Sequence, residues 1–338
     1  MNRLKYIDAL KGLAIIFVVI GHVSNGYMNQ GAMDALFVDT HKIATAFHMP
    51  LFFAVSGFLF SRAYITDDGR VKAERVKIQI INLVCIYVFY SALLWTFKYL
   101  LSAFVNTQLT IKNLLMIPIK PFDLYWYLYV LIVYYIIFSR ELIAKQQKTV
   151  ILFITIALSV ASYWVPATWL FGVKNCLYYM PFFYLGCWLS SRISVLDRKE
   201  IVFGLLPVII LLFALFWNNE EPIKSIRFVN LLVGGATAFF LFGIFKRYKI
   251  IGENKALSFV GRYSLEIYLF HTYFVTFCRT VFSRMHITNP LIIILASTVV
   301  GVIAPLMIAL ACKKIGIHKF LFTPYKEFVR QKSLKENG

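Results

Sequence analysis

Apolar residues in this chain come in membrane-length blocks, not in the stripes of a soluble amphipathic helix or the alternation of a strand. The blocks fall at residues 7–27, 43–61, 78–101, 124–139, 149–166, 176–191, 201–218, 228–245, 263–282 and 289–311. An α-helix needs about 20 apolar residues to cross the hydrocarbon of a bilayer. Continuous runs also exclude the two-residue alternation of a transmembrane barrel. The pattern predicts an all-α polytopic membrane protein, a bundle of about ten transmembrane helices. The fourth block opens with Tyr125, Trp126, Tyr127 and Tyr129, an aromatic start typical of a membrane–water interface.

Composition agrees. The chain is 60% hydrophobic and 15% charged, whereas soluble proteins carry about 25% charged residues. The net charge of +19 would suggest nucleic acid if it were spread over one surface. It is instead concentrated in alternate loops. With the N-terminus inside, 25 of the 35 Lys and Arg residues fall in inner segments and 7 in outer ones. That asymmetry is the positive-inside bias. It predicts both termini in the cytoplasm and anionic lipid, not nucleic acid, as the partner of the basic loops. The sequence divides into one transmembrane domain at 1–312 and a basic cytoplasmic tail at 313–338. Asp8 and Lys11 interrupt the first block, which argues against a cleaved signal peptide. Cys85, Cys176, Cys187, Cys278 and Cys312 lie in or beside apolar runs without C-x-x-C spacing. They read as small buried hydrophobes, with neither a disulfide framework nor a metal site.

Ionisable groups inside membrane spans are costly and mark function. Lys11 and His22 lie eleven residues apart in the first block. At about 100° per residue this is three turns plus about 20°, so both point the same way, about 16 Å apart along the axis. The second block begins Thr45-Ala-Phe-His48-Met-Pro50 and continues to Ser56-Gly57. This places His48 at the depth of His22. Pro50 should loosen the helix and free a carbonyl, and Gly57 should permit close approach of a helix or ligand. Arg262-Tyr-Ser-Leu-Glu266-Ile-Tyr-Leu-Phe-His271 puts a third histidine near mid-membrane. Each has a plainer reading. Lys11 can snorkel or pair with Asp8 three residues earlier, and Ser56 can be packing glue. Arg62, Arg70, Lys72, Arg75 and Lys77 sit at the foot of the second and third blocks. They suit the phosphates of a nucleotide-like ligand and equally the positive-inside bias.

These motifs carry a resemblance. Asp-x-x-Lys-Gly-x-Ala-Ile-Ile-x-Val-Val-x-Gly-His at 8–22 and Phe-His-Met-Pro-Leu-Phe-Phe-x-x-Ser-Gly-Phe-Leu at 47–59 resemble the acyltransferase-3 family of integral-membrane O-acyltransferases. Trp126-Tyr-Leu-Tyr-Val-Leu and Ser264-Leu-Glu-Ile-Tyr-Leu-Phe-His271 are similar to two further segments of that family. The resemblance implies a ten-helix bundle that moves an acyl group, usually acetyl, from cytoplasmic acyl-CoA to a hydroxyl of an extracytoplasmic carbohydrate. The family's usual arginine is here Lys11, which keeps the charge but not the bidentate fork. Some members carry an additional extracytoplasmic hydrolase-like domain, for which these 338 residues leave no room.

The expected roles follow. Lys11, Arg70, Lys72 and Arg75 hold the phosphates of acetyl-CoA, which is a donor and not a permanently bound cofactor. His22 is the general base, His48 polarises the carbonyl or orients the acceptor, and Ser56 or His22 is a position for a transient acyl-enzyme. Trp126 and His271 contact the substrate. The expected acceptor is a surface polysaccharide, O-antigen or glycolipid, and the expected location the bacterial cytoplasmic (inner) membrane. The competing reading is a proton-coupled carbohydrate or lipid-linked-sugar permease, with the same histidines as a proton relay.

Overall fold

The computed structural model describes residues 4–100, 110–140, 143, 147–166, 170–193, 205 and 227–336. The seventh block, 201–218, lies outside the described residues except at position 205. The protein is an all-α polytopic membrane protein. The helices are α1 (Lys5–Met28), α2 (Ala35–Tyr64), α3 (Ala73–Leu100), α4 (Ile111–Leu115), α5 (Trp126–Phe138), α6 (Lys148–Ala161), α7 (Val173–Arg192), α8 (Arg227–Arg247), α9 (Lys249–Gly252), α10 (Lys255–Arg262), α11 (Ser264–Arg284), α12 (Pro290–Lys314), α13 (His318–Phe322) and α14 (Pro324–Glu336). Among them α1, α2, α3 and α12 are long and apolar enough to cross a membrane. Among the described residues the extended pairing is an isolated antiparallel bridge, Ile65 to Val71, across the turn after α2.

The chain forms two compact units, Met1–Leu59 with Phe182–Cys312, and Phe60–Pro181 with Lys313–Gly338. In the first, α1 is the central element. Its residues Tyr6, Ile7, Ala9, Leu10 and Ala14 join Leu51, Ala54, Val55 and Phe58 of α2, Leu189 of α7, and Ala238, Phe242 and Phe245 of α8 in one buried core. Helices in hydrocarbon gain little from the hydrophobic effect and associate through close packing at small residues. The first unit depends on this. An added Cβ on Gly57 would fall 1.8 Å from Phe183 O, and one on Gly186 would fall 1.8 Å from Ala54 O. The expected latitude at Gly57 is thus filled by helix packing.

α2 runs helically through Pro50. Proline cannot donate to the carbonyl four residues back, which leaves Ala46 O without its intrahelical partner. Gly234 of α8 lies against this spot, where a Cβ would be 3.1 Å from Ala46 O and 2.7 Å from Pro50 Cγ.

The second unit is built on aromatic side chains with polar tips. Tyr134 Oη donates to Cys176 O at 2.7 Å, and Tyr87 Oη donates to Ile117 O at 2.8 Å. Tyr135 packs edge-on against Phe60 and Tyr64. Lys98, in the last turn of α3, pairs with Asp123, just before α5. The basic tail forms α13 and α14, and α14 packs on α3. Phe322 stacks on Tyr90, and Lys326 N donates to Asn82 Oδ1 at 3.4 Å.

The glycine contacts give a paired prediction. Gly57→Ala forces α2 from α7 and costs about 2 kcal/mol, within the usual range for overpacking. Gly235→Ala leaves stability unchanged, since its methyl would meet only Phe182 Cε1 at 3.8 Å. Thermal unfolding of both variants in detergent, followed by size-exclusion fluorescence, makes the comparison. Equal melting points would contradict it.

Candidate active site

α1 presents Lys11 and His22 on the same face, as the spacing requires. Lys11 Nζ lies 2.8 Å from Asp8 Oδ1, and the two side chains are 21% and 8% exposed. The lysine is therefore held by an acid one turn before it. Between Lys11 and His22 on that face, Ile15 and Val18 are fully buried. Packed side chains, and not an open channel, fill this part of α1.

Sequence reasoning left the segment around 246–262 as ordinary inner-loop charge. The structure gives it a surface. Lys5, Asp8, Glu253, Lys255, Ser258 and Arg262 are among the residues lining a cavity of about 790 Å³. Ligand sites measure roughly 300–1,000 Å³. Lys5 pairs with Glu253 at 3.3 Å, and Arg262 lies over the Phe259 ring at 5.6 Å. Asn254 caps α10 by accepting from Leu257 N at 3.0 Å. That cap, opening a short basic amphipathic helix, was the available signal. It could not reveal that Lys5, about 250 positions away in sequence, lines the same cavity.

The cavity is possible because α1 and α10 meet backbone to backbone. A Cβ on Gly12 would lie 2.1 Å from Leu257 O, and a Cβ on Gly261 would lie 1.7 Å from Asp8 O.

Further along α1, the first unit gathers histidines. The rings of His22 and His271 are 5.0 Å apart between centroids and tilted by 53°. His271 is wholly buried. Its Nδ1 lies 3.0 Å from Ile267 O and 2.9 Å from Tyr268 O. His48 is also buried, with Nδ1 hydrogen-bonded to Ala44 O. A carbonyl only accepts, so Nδ1 donates in both rings, and the neutral ring is left with a lone pair on Nε2. His271 Nε2 is buried and has no hydrogen-bond partner among the described residues. His48 Cε1 lies 3.9 Å from where a Cβ on Gly21 would stand, beside His22. A fourth histidine, His41, approaches Gly21 O through Nδ1 at 3.2 Å. It was missed, although its seven-residue spacing from His48 puts the two on one face of α2.

The remaining predicted residues are placed as follows. Ser56 is half-buried on α2, two turns beyond His48. Arg70, Lys72, Arg75 and Trp126 belong to the second unit. Arg70 and Arg75 are exposed and Lys72 is half-buried. Arg70 Nε pairs with Asp68 Oδ2 at 2.7 Å. A hydrogen bond from the Thr66 hydroxyl, with help from Arg70, holds the Asp68 carboxyl below its ordinary value. Trp126 packs on Tyr179, with ring centroids 5.0 Å apart. Among the described residues, no group of three or more His, Cys, Asp or Glu side chains is arranged to hold a metal ion.

The fold and site define a polytopic helical membrane protein that gathers four histidines around α1, two of them buried. Comparison with known proteins narrows this. Residues 4–310 match the model of the acyltransferase-3 family, described as an acyltransferase domain, and the chain belongs to that family. It is 26% identical over 293 residues to nodulation protein NolL of Mesorhizobium japonicum, covering 79% of this chain and 75% of that protein. It is 31% identical over 129 residues to nodulation protein NolL of Sinorhizobium fredii, covering 38% of this chain and 34% of that one. No solved structure matches. The protein is therefore a membrane acyltransferase.

The tautomers are testable. In protein labelled with ¹⁵N-histidine and held at about pH 8.5, well above the ordinary imidazole value, His48 and His271 should each show a protonated Nδ1 and an unprotonated Nε2. Assignment of the signals with His48→Gln and His271→Gln completes the measurement. A protonated Nε2 in either ring would contradict the carbonyl-bonded geometry.

Proposed function

We propose that this protein transfers an acetyl group from cytoplasmic acetyl-CoA to a hydroxyl of an extracytoplasmic carbohydrate. The observation that carries the reading is the contact of His22, half-buried on the helix that bears Lys11, with the fully buried His271 of α11. The excess of basic residues in alternate loops supports an orientation with the Lys11 end of α1 at the cytoplasm.

Donor binding begins at the cavity beside α10. Lys5, Lys255 and Arg262 supply cations for the donor's phosphates, with Lys11 one turn further in. Arg70, Lys72 and Arg75 are further donor-binding groups in the same proposal. Charge-assisted contacts of this kind are the strong ones, and an arginine supplies two parallel bonds where a lysine supplies a point charge. From Lys11 the pantetheine arm covers about 16 Å to the level of His22, the distance set by helix rise. Ile15 and Val18 fill that face, so their side chains part when the arm enters.

At the far end, His22 takes the proton of the sugar hydroxyl. The hydroxyl oxygen attacks the thioester carbonyl, the carbon–sulfur bond breaks, and the proton passes from His22 to the departing thiolate. His271 donates through Nδ1 to two carbonyls and offers only Nε2 as an acceptor. That suits it to receive an N–H of His22 or the acceptor's hydroxyl. His48 orients the acceptor or polarises the carbonyl. Ser56 is the position for a covalent relay if transfer takes two steps.

His22→Gln should lower acetyl transfer by roughly 10²- to 10⁴-fold, the usual worth of a general base, with donor binding retained. Lys11→Arg should keep activity, while Lys11→Ala should raise KM for acetyl-CoA. Transfer of radiolabelled acetyl groups from acetyl-CoA to surface glycan in membranes measures all three. Full transfer by His22→Gln at normal expression would remove His22 as base. Proton-driven sugar uptake without acetyl transfer would replace the enzyme with a permease.

Lys255→Glu tests the cavity. It should raise KM for acetyl-CoA several-fold at low salt and leave kcat unchanged. The effect should shrink as ionic strength rises and screening sets in. An unchanged KM would move the phosphate site elsewhere.

A further inference from the structure

The histidine pair explains one end of α11 but not the other. Eight residues beyond His271, about 12 Å along the helix, Arg279 lies half-buried. Its guanidinium is laid against α1. A Cβ on Gly26 would fall 2.5 Å from Arg279 Nη1 and 3.6 Å from its Cζ. Any side chain at position 26 would displace the group, so the glycine forms a cradle for it. Gly26 is one turn past His22, about 6 Å along α1. The guanidinium therefore stands one turn beyond the histidine pair, on the side away from Lys11.

No ion pair joins Arg279 to a carboxylate among the described residues. The group that feels its charge is Tyr27. Tyr27 is fixed by stacking on Phe37, with centroids 5.1 Å apart and planes 3° apart. Its hydroxyl is buried and has no hydrogen-bond partner among the described residues. Thr272 Oγ1, seven residues before Arg279 and on the same helical face, is buried and without a partner in the same way. A half-buried cation without an acid is costly, and orphaned buried hydroxyls add to that cost. Arginine recognises oxyanions through two parallel charge-assisted bonds. A ligand bearing an oxyanion and neighbouring hydroxyls would satisfy all three groups together.

We infer that Arg279 and Tyr27, with Thr272 below them, form the acceptor-binding site, and that the acceptor is an acidic carbohydrate whose carboxylate or phosphate is held by the Arg279 guanidinium. This rests on the acetyltransferase reading above. The site holds the oxyanion about one helical turn beyond His22 and so sets which hydroxyl reaches the base. The same guanidinium chemistry would also suit a lipid phosphate, and the experiment separates the two.

The full chain is placed in nanodiscs of phosphatidylcholine, alone or with phosphatidylglycerol. Two probes are titrated: an oligosaccharide of alternating glucuronate and N-acetylglucosamine, and the same oligosaccharide with its carboxylates reduced to alcohols. Acetyl-CoA binding is measured on every sample. The acidic probe should bind at least ten-fold more tightly than the reduced one in both lipids. Arg279→Gln should abolish that preference, Arg279→Lys should restore part of it, and Tyr27→Phe should weaken both probes while keeping the stack on Phe37. Acetyl-CoA binding should be unchanged throughout, which also reports folding.

Equal binding of the two probes to the unsubstituted protein would overturn the proposal. So would a preference that survives Arg279→Gln. Loss of the preference whenever phosphatidylglycerol is present would assign the guanidinium to lipid and overturn it as well. Absence of acetyl-CoA binding in every sample would instead defeat the acetyltransferase reading, independently of the probe results.

Discussion

Everything in the first unit depends on how closely α1 can be approached. In a bilayer the solvent does not push helices together, so contact has to come from dispersion at short range. Gly12 and Gly261 provide it where α1 meets α10, and Gly26 provides it where the Arg279 side chain reaches α1. The glycines at 12 and 261 bring two backbones within a distance that no side chain would allow. This approach draws Lys5 and Asp8 to the same cavity wall as Lys255 and Arg262. Without it, the basic residues of 246–262 would be dispersed surface charge.

The histidines obey a related constraint. A membrane interior cannot hydrate a ring nitrogen, so each buried imidazole needs a partner. His48 and His271 both take a carbonyl of their own helix, three or four residues back. That choice fixes the ring's orientation and leaves the opposite nitrogen as an acceptor. A helix backbone thereby does what a carboxylate does in many soluble enzymes. Asp8, which pairs with Lys11, stands fourteen residues before His22, about 21 Å along the helix.

Much of this was legible in the residues. The blocks at 7–27, 263–282 and 289–311 agree with α1, α11 and α12 to within a few residues, because a long apolar run has only one solution in a membrane. The shared face of Lys11 and His22 followed from helix geometry alone, and Asp8 three residues before Lys11 named its partner. His22 and His271 were both singled out, but their contact was not foreseeable. It depends on the relative rotation of α1 and α11, which packing sets. The same holds for Arg279, whose importance appears only when Gly26 is seen beneath it. His41 was passed over because it precedes the apolar block at 43–61, whereas α2 begins earlier, at Ala35. The block records where the hydrocarbon would start, not where the helix does.

The face joining Lys11 to His22 bears on mechanism. Ile15 and Val18 close it as tightly as a protein core. A permanently open conduit would leak ions and water and, on the proposed function, would expose a thioester to hydrolysis before an acceptor arrived. Packed apolar side chains prevent both at small cost, since moving them breaks no hydrogen bond. Lys11 with Asp8 stands at one end of this face of α1, and His22, with Tyr27 and the Arg279 guanidinium beyond it, at the other. On the proposed function, a donor bound at the Lys11 end and an acceptor bound at the histidine end would supply the interaction energy to separate the middle. On this view the barrier is apolar because it has to be reversible, and the ends are polar because they select what is allowed to open it.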